Sequence, residues 1–272
     1  MGENPEARKE FIAEVFSRAA PDYDRVGPQF FTQFGRRLVE LAGMSPGATV
    51  LDVAAGRGAV LFPATERVGR RGRVIGIDLA ETMVQQTAAE IRQQGLRNAE
   101  IRRMDAENLE FPDASFDCVL CGFALFFFPR LDTALAEFFR VLRPGGKIAV
   151  STWGGATRWS WYEDVLKKYV EPVQLSVRDL DTPDKLEDVL RYGGFGDVRI
   201  DAEQTDVVYA DEHQWWKRQW THGGRVSLER MAPEVLEKFK VEVFSRMQAE
   251  RQPDGFHLTL RVLYGLGTKR SR

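Results

Sequence analysis

The chain has 272 residues, 43% hydrophobic and 29% charged, with a formal net charge of −2, which excludes a disordered chain and a surface built to neutralise a nucleic-acid backbone. Two cysteines give no disulfide framework and suit a reducing, cytoplasmic compartment. The opening MGENPE lacks the apolar stretch of a signal peptide, and the longest apolar run, FALFFFP at 123–129, is far shorter than the roughly 20 residues that insert stably across a bilayer.

Residues 6–20 place Phe11, Ile12, Val15, Phe16 and Ala19 on one stripe, the spacing of an amphipathic helix ended by Pro21. Such a stripe, if exposed, is a surface through which a homo-oligomer could form. After the loop PDYDRVGP (21–28), a second helix carries Phe30, Phe31, Phe34, Leu38 and Leu41 and closes at Gly43. From residue 49, apolar runs at 49–53, 73–77, 99–102, 116–121 and 147–153 alternate with helical patterns at 59–68, 80–94 and 130–142. This spacing predicts a parallel sheet wound by helices on both faces. Pro63 falls in the first turn of its helix, where a missing N–H matters least.

Farther on, 157–170 and 183–192 read as helices, 197–208 as a strand and 211–251 as two or three helices. Residues 256–266 alternate strictly, with Phe256, Leu258, Leu260, Val262, Tyr264 and Leu266 on one face of a last, half-buried strand. The helices of 211–251 therefore form an insertion between two strands, a natural lid over a site at the sheet's edge.

The stretch VLDVAAGRG (50–58) is a strand that breaks into a glycine-bearing turn, a device several ligands use. A triphosphate loop needs GxxxxGK[ST], and no lysine follows; a dinucleotide fingerprint would place Ala54 and Ala59 at its first and third glycines. Asp78 ends the second strand, 20 positions after Gly58, where a carboxylate can accept both ribose hydroxyls of an adenosine ligand. Asp52 lies inside the first strand, where it serves no pyrophosphate but suits a ligand with an amino group. Asp105 ends the third strand, placed to accept from an exocyclic amine such as that of adenine. LRPGGKIAVSTW (142–153) reads as a tight Pro–Gly–Gly turn into the fifth strand.

The four blocks VLDVAAGRG, VIGIDLAETMV, RMDAENLEFPDASFDCVL and RVLRPGGKIAVSTW, in this order and spacing, resemble class I S-adenosylmethionine-dependent methyltransferases of the UbiE-like, small-molecule branch over about residues 10–155. The resemblance implies an α/β, Rossmann-like, doubly wound seven-stranded mostly parallel sheet, with a helical cap at 1–48, a cofactor core at 49–156, and the rest of the sheet at 157–272 with a helical lid at about 157–182 and 211–251. The implied cofactor is S-adenosyl-L-methionine, with product S-adenosyl-L-homocysteine and no metal. The turn around Ala54, Gly56 and Gly58 would meet its methionine part, and Asp78 its ribose. Leu79 and Met83 would flank adenine, with Asp105 and Ala106 at its edge. Cys121, Gly122 and Phe123 follow the fourth strand, where methionine carboxylate and acceptor meet, and Tyr23 would close over the cofactor. The family more often has G-x-G-x-G at the turn; Ala54 is tolerated there provided its φ is negative.

The implied reaction moves a methyl group to a carbon or oxygen of a hydrophobic small molecule, such as a phenol, quinone or isoprenoid-type natural product. An RNA or protein methyltransferase is the alternative, opposed by the lack of a basic patch; a non-methylating scaffold or an NAD-linked oxidoreductase is opposed by the turn and its acidic partners. Cys118 and Cys121, three apart on a strand, point to opposite faces and cannot share a metal ion. His257 belongs to the outward face of the last strand. His213 and His222 flank HQWWKRQWTH in the lid, where either could act as general base on an acceptor hydroxyl. Trp216 and Trp220 share a helical face and, with Trp215, form either lid packing or an aromatic wall for a flat substrate. Phe123, Phe126 and Tyr23 could face the sulfonium methyl.

Overall fold

A computed structural model describes residues 4–155 and 159–270. Helix α1 (Pro5–Ala19) starts where it does because the Asn4 side chain accepts the Glu6 N–H at 3.0 Å, with proline in the first turn. Helix α2 (Phe30–Ala42) ends at Gly43 in a left-handed cap, φ +56°. The core then alternates: β1 (Thr49–Val53), α3 (Leu61–Val68), β2 (Arg73–Asp78), α4 (Glu81–Gln93), β3 (Ala99–Arg103), β4 (Phe116–Gly122), α5 (Leu131–Val141) and β5 (Leu142–Trp153). Helices α6 (Ser160–Tyr169) and α7 (Pro183–Tyr192) follow, then β6 (Gly196–Tyr209), α8 (Glu212–Gln219), α9 (Arg225–Leu228), α10 (Pro233–Ala249) and β7 (Phe256–Thr268). Of the helix expected over 157–170, residues 157 and 158 lie outside the described part.

One seven-stranded sheet runs β3-β2-β1-β4-β5-β7-β6. Strands β1 to β5 are parallel, and β7 is antiparallel to both neighbours. The winding reverses between β1 and β4, which leaves a crevice at their carboxyl ends. Val50, Leu51, Val53, Val119, Leu120, Ile148, Ala149 and Val150 are fully buried, as expected of strands covered on both faces. Helix α2 lies directly on the turn after β1: a Cβ on Gly35 would fall 2.1 Å from the Ala59 carbonyl oxygen.

Two local expectations change. The Pro–Gly–Gly segment is part of β5, not a turn before it: the Gly145 N–H donates to the Lys269 carbonyl at 2.7 Å and the Lys269 N–H to Gly146 at 2.8 Å. The extra residues are absorbed as a register shift against β4, between Phe116 and Cys118. The strict alternation of β7 also fails over 262–265, all buried, because β7 sits inside the sheet with Leu190 and Leu186 of α7 packed on Gly265.

The insertion α8–α10 between β6 and β7 joins α6 through aromatic contacts. Phe239 of α10 is fully buried against Tyr162, Tyr169 and Trp216, and Trp215 meets Tyr162 at 5.4 Å. The tryptophans of α8 thus serve packing. Phe239→Ala should destabilise the chain by about 3–5 kcal/mol, read by chemical denaturation; a loss below about 1 kcal/mol would mean the insertion folds apart from the sheet.

Candidate active site

The crevice at the ends of β1, β2 and β4 holds a cleft and, adjoining it over shared lining residues, a smaller space on the Asp52 side, the inner chamber. Tyr23, Ala54, Gly56, Gly122 and Phe123 line both. The floor is the turn after β1, which coils left-handed: φ is +53° at Ala54, +52° at Gly56 and +83° at Gly58. Ala54 therefore breaks the condition set for an alanine there, and its Cβ is strained against the backbone. Gly58 lines neither space; a Cβ on it would lie 2.4 Å from the Phe62 ring, so its role is to let the turn close.

Asp78 faces the cleft with each oxygen already holding one backbone donor, the Gly56 N–H at 2.8 Å and the Ala80 N–H at 2.8 Å. Burial pushes its carboxyl up, and these N–H groups oppose the shift. Asp52 lines the inner chamber, 1% exposed, and among the described residues neither of its oxygens has a hydrogen-bond partner of ordinary geometry, although the Leu61 N–H favours its ionised form. Burial, reinforced by the Asp78 charge, holds its carboxyl well above the usual carboxylate range. A buried acceptor without a donor is costly, and such a group calls for an explanation.

Leu79, Met83, Asp105 and Ala106 also line the cleft. Asp105, however, is not a free acceptor: its Oδ2 takes Lys9 Nζ at 2.7 Å and its Oδ1 the Glu107 N–H at 2.9 Å. Lys9 also meets Glu107 at 2.6 Å, and Glu107 accepts Arg130 Nε at 2.8 Å and the Arg130 N–H at 2.7 Å. Burial works against the Lys9 ammonium, but hydrogen bonds to Asp105 and Glu107 outweigh it and raise its pKa. Lys9, Ile12, Ala13 and Phe16 line the cleft at helical spacing, so the apolar stripe of α1 is turned onto it. That removes the basis for pairing two chains through an exposed stripe. Lys9 carried a legible signal, a charged residue on an otherwise apolar face, that composition and motif reading passed over.

Other expectations are corrected. Cys121 lines neither space; it is fully buried in β4 while Gly122 and Phe123 turn outward to the cleft. Burial raises both thiols, Cys118 to about 12. Neither histidine of the insertion lines the cleft or the inner chamber. His213 sits edge-on to Phe244 at 5.1 Å, and His222 Nδ1 accepts the Gly224 N–H at 3.0 Å. His257, on the outward face of β7, is held between Asp206 and Asp254, which raise its pKa. Phe127, not Phe126, reaches the cleft.

The chain is 33% identical to the nocamycin O-methyltransferase of Saccharothrix syringae over 94% of its own length and 98% of that protein. It belongs to the class I S-adenosylmethionine-dependent methyltransferases. Residues 50–146 of this methyltransferase match the family model described as a methyltransferase domain. It is also 42% identical to aklanonic acid methyltransferase DauC of a Streptomyces species, over 53% of this chain and 66% of that one. The YcgJ protein of Bacillus subtilis shares the fold, with a TM-score of 0.61 at 20% identity over 88% of this chain and all of that one. Among the described residues of the methyltransferase, no helix is long and apolar enough to cross a membrane, and no three His, Cys, Asp or Glu side chains group as a metal site.

Two substitutions test this geometry. Ala54→Gly should stabilise the methyltransferase by about 1 kcal/mol by relieving the left-handed alanine; an unchanged or lower melting temperature would contradict the assigned backbone. Lys9→Met leaves Asp105 and Glu107 facing each other and should destabilise by about 3 kcal/mol, with hydrogen exchange quickening first in α1.

Proposed function

We propose that the outer cleft takes the adenosine half of S-adenosylmethionine, that the inner chamber takes its amino-acid end, and that the acceptor is a hydrophobic small molecule. One observation carries this reading: two desolvated carboxylates, Asp78 and Asp52, face two connected spaces with their remaining acceptor capacity open. Asp78 keeps a lone pair on each oxygen after accepting from Gly56 and Ala80, a match for two vicinal ribose hydroxyls. Asp52 offers both oxygens to an ammonium group. Leu79, Met83 and Ala106 give apolar walls for the purine, the Lys9–Asp105 pair borders its edge, and Tyr23 lies over both spaces.

When bound, the cofactor supplies an electrophilic methyl group on a sulfonium and leaves as S-adenosylhomocysteine. The chain's part is to align the acceptor and exclude water. Phe31 and Phe123 of the inner chamber pack with Trp153, at 5.9 Å and 4.4 Å between ring centroids, and wall that chamber with aromatic rings. With His213 and His222 away from the cleft, the arrangement favours a nucleophile already ionised or electron-rich, which needs no general base. Similarity to enzymes named for nocamycin and aklanonic acid supports a natural product as acceptor.

Asp78→Ala should weaken S-adenosylhomocysteine binding at least tenfold, about 1.4 kcal/mol or more, by calorimetry; an unchanged affinity would place the ribose elsewhere. Asp52 adds a pH signature. Its folded-state pKa is raised, and an ammonium ligand favours the ionised form, so binding lowers that pKa and releases protons where the two differ. Affinity should therefore rise with pH, from the ordinary carboxylate range through the raised value, with proton release measurable in buffers of different ionisation enthalpy. In Asp52→Asn that release should vanish, and the ligand-free variant should melt above wild type at neutral pH.

A further inference from the structure

Helix α2 has no cap of its own. Its N-cap residue, Gln29, makes no side-chain hydrogen bond to the first turn, and that turn carries no acidic residue. Two of its open N–H groups are satisfied instead from the loop before it. The Asp24 carboxylate accepts the Phe31 N–H at 3.3 Å, the Thr32 N–H at 2.9 Å and the Thr32 hydroxyl at 2.8 Å. An anion is well placed there, at the positive end of the helix dipole. The arrangement nonetheless costs more than a cap requires. Asp24 is 6% exposed, and burial pushes its carboxyl up against those donors and the Arg218 charge. Its backbone is also left-handed, φ +55°. A serine or aspartate at position 29 would cap α2 with neither burden.

What the distant cap adds is a hold on residue 23. Tyr23 lines both the cleft and the inner chamber, its ring stacked on Phe31 at 5.2 Å and 13° and edge-on to Phe16 at 6.2 Å. Asp24 lines neither space. Two adjacent residues therefore grip the same residue of α2, Tyr23 by its ring and Asp24 by its backbone N–H. Asp, Asn and Gly take a left-handed backbone most readily, so the residue type at 24 suits both the turn and the cap. The other ties of this loop lie to either side. Arg57 donates to the Ala20 carbonyl at 2.7 Å, and Arg25, 50% exposed, pairs with Glu90 at 2.7 Å; neither involves Tyr23. We propose that Asp24 is a positioning residue of the cofactor site: by capping α2 from the preceding loop it holds Tyr23 on Phe31, over the junction of the two spaces, before any ligand arrives. It acts through Tyr23 rather than on the cofactor itself. The inference rests on the reading that the cleft and the inner chamber take the two halves of the cofactor, which puts the sulfur among the residues lining both. A tyrosine on an untied loop would have to be ordered at each binding event, and affinity would fall with the fraction of chains that hold it in place.

The test is a double-mutant cycle on the full chain, read by calorimetry of S-adenosylhomocysteine with wild type, Y23L, D24G, D24N and Y23L/D24G. D24G removes the carboxylate while allowing the left-handed backbone; D24N keeps that backbone preference and one acceptor oxygen. D24G should weaken binding about tenfold, the fold-change to which a lost helix cap corresponds. Y23L should weaken it comparably, and Y23L/D24G should bind no more weakly than Y23L, because the carboxylate acts only through the ring. D24N should fall between wild type and D24G. Where D24G does not fold, the same cycle run with D24N and Y23L/D24N decides. A carboxylate that only stabilises α2 would lower the melting temperature of D24G and leave its affinity at the wild-type level, and that result overturns the proposal. So does a D24G loss that persists undiminished in the Y23L background. Failure of S-adenosylhomocysteine to bind wild type sinks the cofactor site itself, whereas normal binding to wild type with either overturning result sinks only the role of Asp24.

Discussion

The hydrogen bond from the Gly56 N–H to the Asp78 carboxylate is the contact on which the site depends. It joins the turn after β1 to the end of β2, and the Ala80 N–H holds the same carboxylate from the other side. For the Gly56 N–H to face β2, the chain leaving β1 has to coil left-handed, which accounts for the positive φ at Ala54, Gly56 and Gly58 together. Further bonds lock the coil: the Ala55 N–H to the Ile77 carbonyl at 2.9 Å, and the Thr87 hydroxyl to the Gly56 carbonyl at 2.8 Å. Arg57 then reaches from the turn to the Ala20 carbonyl and to Gln86, at 2.7 and 2.6 Å. One turn thus sets the distance between β1 and β2, the seat of α4 and the point where α1 comes down over the cleft.

That geometry concentrates polar strain in one place. Asp52, Asp78 and Arg218 are all desolvated, and among the described residues Asp52 and Arg218 keep atoms with no hydrogen-bond partner. Each unpaired group of this kind costs roughly 1–3 kcal/mol or more. The central strands can carry the load because they are apolar and fully covered, with β1, β4 and β5 contributing side chains of zero exposure. A fold that only had to be stable would replace these groups with apolar ones of the same volume. That Asp52 and Asp78 line the two adjoining spaces is the pattern expected where stability is traded for binding.

Much of this was legible in the sequence, and the limits have physical causes. The β1–β5 alternation is readable because β1, β2, β4 and β5 contain apolar runs and α3, α4 and α5 carry a helical period between strands. Asp78 and the Gly56 turn are readable because a strand end, a turn and a carboxylate must occur at fixed separations. What escaped depends on which partner a side chain finds. Asp105 has the type and place of an amine acceptor, yet Lys9, ninety-six residues earlier, takes one of its oxygens. Cys121 and Gly122 are adjacent, but strand alternation sends one into the core and the other to the cleft. The Pro–Gly–Gly segment has turn chemistry, but the antiparallel end of β7 pairs with it and draws it into the sheet. His213 and His222 have catalytic chemistry on a segment whose orientation is set by Phe239 and the tryptophans, not by local pattern.

The placement of α1 couples the two halves of the site. At its amino end, Lys9 is held by Asp105 and Glu107, and Arg130 links Glu107 to Glu6. Toward its carboxyl end, Arg18 pairs with Glu229 at 2.9 Å, and Glu229 is shared with Arg225 of α9 at 2.8 Å. Arg8 hydrogen-bonds the carbonyl of Gln174, ahead of α7. The helix is therefore a strut between the Asp105 edge of the cleft and the segments around α9 and Gln174. Its two ends are not equal: Arg18 is 44% exposed, so its pair contributes at most about 1 kcal/mol and is screened by salt, whereas Lys9 and Glu107 are 7% and 2% exposed. The Arg18 end is therefore the weaker tether of α1, and the buried Lys9 end the stronger one.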